Sequence, residues 1–420
     1  MANDGLVVGL DIGTTKVCAI IGERNENGIL EITGVGVCPS TGLRKGVVVN
    51  IEATLRSIAT AVEAAEMMSG REVHTCWTGI GGNHIDGINS RGVVAVTGKN
   101  RETREIGEDD ISRVLEAARA VVIPMDRQVL EVIPQNYIVD DQRSIRDPLD
   151  MIGVRLEAEV HIITCSVNSA QNLIKCVNRA GFMVNDLVLQ SLAAGRSVLT
   201  DEEKELGVAL IDMGGGTTDV LVYSDGSPYS TTTIPAGGGM ITSDISKVKN
   251  ISLETAEQIK VSAGCCWEGL LDGDDDVIVS GVGGRPPLSI PKSQLFMIIE
   301  PRIEEIFKMV KEKLDKVSLS RPLGGGIVLT GGGAQLLGAI DLASALFKVP
   351  VRIGTPFSVG GLVEEYRNPI YATAVGLVLE GDDRERRSGL ERGGEPRSRE
   401  KRQQPMLFSK IVDWIKTEFF

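Results

Sequence analysis

One pattern occurs twice in this chain. Gly9-Leu10-Asp11-Ile12-Gly13-Thr14-Thr15 and Ile211-Asp212-Met213-Gly214-Gly215-Gly216-Thr217-Thr218-Asp219 each read as strand, Asp, any residue, Gly, turn, strand. The copies stand about half of the 420-residue chain apart, so two similar domains facing one another are expected. The flanking periodicity agrees. Leu6–Leu10, Val17–Gly22 and Ile32–Val37 read as strands, Ile51–Met68 as an amphipathic helix and Val73–Ile80 as a strand. Near Leu206 the series restarts with strands over Gly207–Met213 and Asp219–Tyr223. The fold class is α/β. Abundant glycine (49 residues) and few aromatics (4%) suit tight turns in a parallel α/β protein better than an aromatic-rich β-sandwich.

The repeated turns carry the chemistry. In the first, Gly13 lets backbone N–H groups approach an anion, Thr14 and Thr15 add hydroxyl donors, and Lys16 adds a cation suited to β/γ-phosphates. Asp11, at a strand end, suits a Mg²⁺ held through water. A plain Gly-Thr hairpin explains this turn equally well. In the second, Gly214, Gly215 and Gly216 precede Thr217. Three glycines after a buried strand pack nothing, and close approach to a ligand explains them. A third turn, Gly331-Gly332-Gly333, follows the apolar run Ile327–Leu329 and precedes a helix expected near Leu336, an arrangement suited to the ribose and base side of a nucleotide. No Walker-type G-x-x-x-x-G-K-[ST] is present, so this is not a P-loop chain.

Other classes are disfavoured. Net charge is −13, which argues against a general nucleic-acid binder. Seven cysteines without a C-x-x-C, and three histidines without H-E-x-x-H, make no zinc or disulfide framework. The N-terminus lacks a basic signal-type segment, and no apolar run of about 20 residues spans a bilayer.

Taken together, these turns resemble the phosphate-1, phosphate-2 and adenosine motifs of the actin/Hsp70/sugar-kinase superfamily. Leu189–Gly195 and Asn368–Gly376 resemble its two connecting helices, and Glu257-Gln258-Ile259-Lys260 its E-x-x-K helix at ribose and adenine. An ordinary i, i+3 surface ion pair is the alternative for Glu257 and Lys260. Gln190 falls where the actin-like pattern places a residue that orients the attacking water, so Gln190, Asp11 and Asp212 are the expected catalytic set, with Asp11 and Asp212 serving the metal. Within the superfamily the chain resembles the FtsA family of bacterial cell-division proteins. Val121–Pro124, Val132–Gln135, Gly153–Ala158 and Ile234–Gly238 carry that likeness, with Gly239 a departure where a larger residue is usual.

The resemblance implies an actin-like two-domain ATP-binding fold of duplicated RNase H-like domains, with inserted 1C-type and 2B-type subdomains. The expected parts are domain 1A over 1–81, the 1C-like insertion over 82–163, domain 1A again over 164–204 and domain 2A over 205–246. Subdomain 2B over 247–321, domain 2A over 322–365 and the last helix of 1A over 366–380 follow. The cofactors implied are ATP and Mg²⁺, with at most slow hydrolysis. The partners implied are the C-terminal peptide of FtsZ, further copies of the chain in an actin-like filament, other divisome proteins and membrane lipids. Ile299-Glu300-Pro301-Arg302 matches a segment near the peptide-docking surface, where Arg302 and Glu300 meet the partner or simply form a helix-surface charge pair.

Residues 381–404 hold eight basic and six acidic residues and read as a disordered linker. Residues 405–420 turn apolar again. At about 100° per residue, Phe408, Ile411, Val412, Ile415 and Phe419 form one stripe, widened by Trp414, with Lys410 and Lys416 off it. Such a helix lies in the headgroup plane of a membrane, or packs on its own domain. The first reading places the chain peripherally on the cytoplasmic face of the inner membrane at the division site. Two rivals share the core, a metabolite kinase and a pilus-assembly adaptor, and neither has use for this tail.

Overall fold

The strand Leu6–Ile12 is apolar at almost every position and buried throughout, as a central strand covered on both faces must be. The computed structural model describes residues 5–96, 103–271, 276–279, 286–318, 322–361 and 366–393. In it, Leu6–Ile12 pairs antiparallel with Lys16–Arg24, which pairs antiparallel with Leu30–Pro39. On its other side run Thr75–Ile80 and then Met183–Leu189, both parallel. Gly360–Gly361 adds a short edge beside Leu30–Pro39.

The second sheet repeats this layout. Val208–Met213 is central, Thr218–Ser224 and Ser227–Ile234 follow antiparallel, and Ile327–Thr330 and Val351–Ile353 flank it in parallel. Numbered along each copy, both sheets have the order 3-2-1-4-5. The duplication seen in nine residues of sequence therefore extends to whole domains. Helix Ile51–Ser69 covers the first sheet. Asn50 starts it by accepting from the Ala53 amide at 3.0 Å, and Gly70 stops it in the left-handed conformation. Helix Lys292–Ser318 covers the second sheet through Leu295, Ile299, Ile303, Ile306, Phe307, Val310 and Leu314, spaced three and four apart and all buried.

Between the first domain's strands lies a separate layer. Its sheet has the order Gln142–Ile145, Arg127–Val139, Arg155–Ser166, Asp86–Ala95, with helix Glu108–Arg119 packed on it. It has its own core around Ile106, Val114, Leu156 and Val160. Pro134 sits opposite Val160 where the pairing shifts register, the place where a missing N–H is tolerated. His161 is buried here. Its Nδ1 donates to Asn89 Oδ1 at 2.6 Å and its Nε2 accepts from Thr231 Oγ1 at 3.0 Å. This ring ties the inserted layer to the second domain's edge strand Ser227–Ile234.

Two expectations are corrected. The supposed linker over 381–404 is helical as far as Gly393, because helix Ala372–Gly393 runs on through Asp383 and Arg387, which pair at 2.8 Å one turn apart. Mixed opposite charges at helical spacing support a helix that no apolar face announces. Helix Ala339–Phe347 starts after a 3₁₀ turn at Gly332–Gln335, a few residues later than expected. The stripe from Phe408 to Phe419 lies outside the described residues.

Candidate functional site

The two repeated hairpins close in the same way. The Gly13 amide donates to the Lys16 carbonyl at 2.8 Å, and the Gly214 amide to the Thr217 carbonyl at 2.9 Å. They then meet face to face. A Cβ on Gly215 would fall 2.5 Å from Thr15 Oγ1, and one on Gly216 would fall 2.5 Å from Thr14 Oγ1. Glycine is required at this seam because a side chain would force the domains apart. Gly239 belongs to the same packing. Its amide donates to the Gly215 carbonyl at 2.8 Å, and a Cβ there would lie 2.9 Å from that oxygen. The extra glycine therefore tightens the contact.

Beside the seam opens a cavity of about 510 Å³. Thr15, Gly214, Gly215, Glu257, Lys260, Gly332 and Gly333 all line it. The structure thus brings the first, second and third turns and the Glu257–Lys260 helix onto one space. Gly331 has φ of 80° and would press a Cβ within 2.2 Å of Asp212 Oδ1. Lys260 Nζ donates to Glu257 Oε2 at 2.7 Å and to Thr242 Oγ1 at 3.0 Å, so the pair is knitted to the neighbouring helix rather than loose on the surface. Ile241, Val261, Leu336 and Leu337 give this end an apolar wall.

Three carboxylates, none of them lining the cavity, lie close together behind the turns. Gln190, which opens helix Gln190–Val198, donates through Nε2 to Asp11 Oδ1 at 2.8 Å. Burial raises the Asp11 pKa, against the pull of Lys16 and of this hydrogen bond. Burial, with Asp219 and Asp11 nearby, pushes Asp212 up to about 7. Burial likewise lifts Asp219 to about 6, despite the Thr233 and Thr217 hydroxyls that donate to it. A crowded, desolvated set of negative charges is what a cation relieves. Among the described residues, no group of three or more His, Cys, Asp or Glu side chains is arranged to hold an ion by itself. Two all-oxygen donors fit a hard ion that keeps its water, which is the Mg²⁺ habit.

Lys16 donates to the Ile370 carbonyl and lies 5.0 Å from the Tyr371 ring centre. Segment 368–373, far along the chain, thus reaches the first hairpin. Glu300 and Arg302 are elsewhere, on helix Lys292–Ser318. Arg302 Nε donates to Asp244 at 2.6 Å and its Nη1 pairs with Glu305, so it is already engaged within the chain. Sequence reasoning missed Asp219, Thr233, Thr242 and Thr373. Asp219 had a signal, because the second hairpin pairs Asp212 with Asp219 where the first pairs Asp11 with Cys18. Thr373 lies within the Asn368–Gly376 segment already read as a connecting helix, but nothing there marks its hydroxyl, and Thr233 and Thr242 reach the site from neighbouring elements.

Comparison with known proteins agrees with this architecture. The family model described as "Cell division protein FtsA" matches residues 209–376, and that described as "SHS2 domain inserted in FTSA" matches residues 82–164. The chain is 46% identical over 416 residues to the cell division protein FtsA of Borreliella burgdorferi, covering 99% of each. It is 38% identical over 421 residues to that of Escherichia coli K12, covering 99% of this chain and 98% of the relative. Among solved structures, one titled "PilM-PilN type IV pilus biogenesis complex" aligns with a TM-score of 0.65 at 16% identity, covering 90% of this chain and 98% of that one. MreB 5 of Spiroplasma citri bound to AMPPNP aligns at 0.55 and 15%, covering 93% and 100%. These two share the actin-like fold. On the near-full-length identity, this chain belongs to the FtsA family of cell division proteins.

Proposed function

We propose that this cell-division protein binds ATP with Mg²⁺ between its two domains, assembles with further copies, and tethers FtsZ filaments to the cytoplasmic membrane. The convergence of three glycine turns and the Glu257–Lys260 pair on one cavity carries the nucleotide reading. MreB 5, of the same fold, is described as bound to AMPPNP. Gly13 to Lys16 and Gly214 to Thr217 would grip the phosphates through N–H groups, hydroxyls and one ammonium. Gly331, Gly332 and Gly333 would admit the nucleoside, with Glu257 and Lys260 at its ribose. Asp11 and Asp212 would hold the hydrated metal, whose charge offsets that of the phosphates. Gln190, fixed on Asp11, would orient a water for slow hydrolysis.

The membrane reading rests on the amphipathic pattern of residues 405–420 and on Arg397, Arg399, Lys401 and Arg402 before it. Among the described residues no helix is long and apolar enough to cross a membrane. One such helix binds weakly, and assembly of the actin-like body multiplies it. The FtsZ peptide would dock near Glu300 and Arg302, with a peptide carboxylate competing for the Arg302 pair. The inserted layer over 82–163 is left for other divisome proteins.

Flotation with anionic liposomes and ATP tests this, comparing the whole chain with one ending at Gln404. The whole chain should float and carry FtsZ with it, and the shortened one should stay down. If both stay down, residues 405–420 are a docking helix and the tether is wrong.

A further inference from the structure

The second connecting helix brings a hydroxyl to the cleft where the first brings an amide. Gln190, in the opening turn of Gln190–Val198, donates to Asp11. Thr373, in the opening turn of Ala372–Gly393, donates through Oγ1 to Asp212 Oδ2 at 3.2 Å. Each acceptor is the aspartate of one copy of the repeat. Thr373 is only 7% exposed, so its hydroxyl meets Asp212 away from water.

The other oxygen of Asp212 is treated differently. Oδ1 faces Gly331, where a Cβ would fall 2.2 Å away. One oxygen is tied to the helix and the other looks past a residue with no side chain. That is a directed carboxylate.

The two helices also act as one piece. Ser197 Oγ donates to the Ala372 carbonyl at 2.6 Å, immediately before Thr373. A Cβ on Gly376 would lie 1.8 Å from the Ala193 carbonyl, so the backbones touch where they cross. A shift of one helix carries the donor of the other.

We propose that Thr373 is a positioning residue. Its hydroxyl sets the Asp212 carboxylate for the hydrated divalent cation that accompanies the phosphates, as Gln190 does for Asp11, and the helix crossing keeps the two carboxylates in step. This rests on the nucleotide reading above and adds the device that makes the metal part of it work. Both aspartates thus have a donor from a connecting helix, although Asp212 has an acidic strand partner, Asp219, where Asp11 has Cys18.

The test is nucleotide affinity of the full chain by calorimetry, measured with ATP plus Mg²⁺ and with ATP plus EDTA. Wild type, Thr373→Val and Thr373→Ser are compared, with a thermal melt of each. Thr373→Val should lose about tenfold in the gain that Mg²⁺ confers, as expected for a lost hydrogen bond to a charged group, while affinity in EDTA stays within about twofold. Thr373→Ser should keep the gain. A packing role alone would lower both affinities together. The proposal is overturned if Thr373→Val keeps the whole gain, or if Thr373→Ser loses as much. Should Thr373→Val fail to fold, Thr373→Ala carries the same expectation. Wild type that binds no nucleotide would bring down the site reading and this proposal with it, whereas a binding wild type with an indifferent Thr373→Val removes this proposal alone.

Discussion

Gln190 and Asp11 stand 179 positions apart in the chain and 2.8 Å apart in the structure. The amide reaches a carboxylate whose pKa burial raises, and its hydrogen bond pulls against that rise. It does so from the first residue of a helix, a position fixed by the Ala193–Gly376 crossing behind it.

Gln190→Ala leaves Asp11 buried without this donor. Thermal unfolding should show a loss of about 1–3 kcal/mol in stability, the cost of an unpaired buried polar group. Phosphate release from ATP should fall further than ATP affinity does. Equal losses in both would remove Gln190 from any role beyond binding.

Lys16→Ala and Lys260→Ala should differ in kind. Lys16 sits at the hairpin that would meet the outer phosphates, so its loss should weaken ATP more than ADP. Lys260 lines the cavity from the helix that would meet the ribose, so its loss should weaken both alike, by about tenfold. Competition binding with the two nucleotides reads the ratio directly.

Gly215→Val places a branched side chain where even a Cβ would meet Thr15. The domains would be wedged apart at the seam. We expect loss of nucleotide binding by at least about tenfold, with each domain core intact, so that circular dichroism is little changed. Full retention of affinity would mean that the hairpins are not the phosphate clamp.

His161 gives a pH dependence with a definite sign. Burial lowers its pKa to about 4, against a partial pull from Asp86. The unfolded ring titrates near 6.5. Between these values the unfolded chain binds more protons, so stability present above about pH 6.5 is lost as pH falls towards 4, to a limit of about 3 kcal/mol. Urea melts from pH 7 to 4 should show a shallower decline in His161→Gln than in wild type. Parallel curves would mean that the ring does not titrate in this window.

Ile411→Asp would place a charge in the apolar stripe of residues 405–420. Flotation with anionic liposomes should fall by at least about tenfold, while nucleotide affinity is unchanged. Undiminished flotation would assign membrane contact to some other part of the chain.

Much of this protein was determined locally. The paired strand–Asp–x–Gly turns carried the duplication, because a tight turn after a buried strand must be written with glycine wherever it is used. Periodicity carried the helix read over Ile51–Met68, found at Ile51–Ser69, because an apolar face has to recur every three or four residues. The helix beyond Leu379 escaped that logic, since charge pairs such as Asp383–Arg387 support it without an apolar face. Only the tertiary structure decided how the aspartates are held. Thr373 reaches Asp212 from 161 positions away and Gln190 reaches Asp11 from 179; the family pattern marked Gln190, but not that its partner is Asp11, and no local pattern marks a partnership that depends on which helix crosses which. The same holds for His161, whose lone position among apolar residues says that it is buried, while its partners Asn89 and Thr231 come from two different domains. Backbone geometry is a property of neighbours in sequence, and hydrogen-bond partnership in a cleft is a property of neighbours in space.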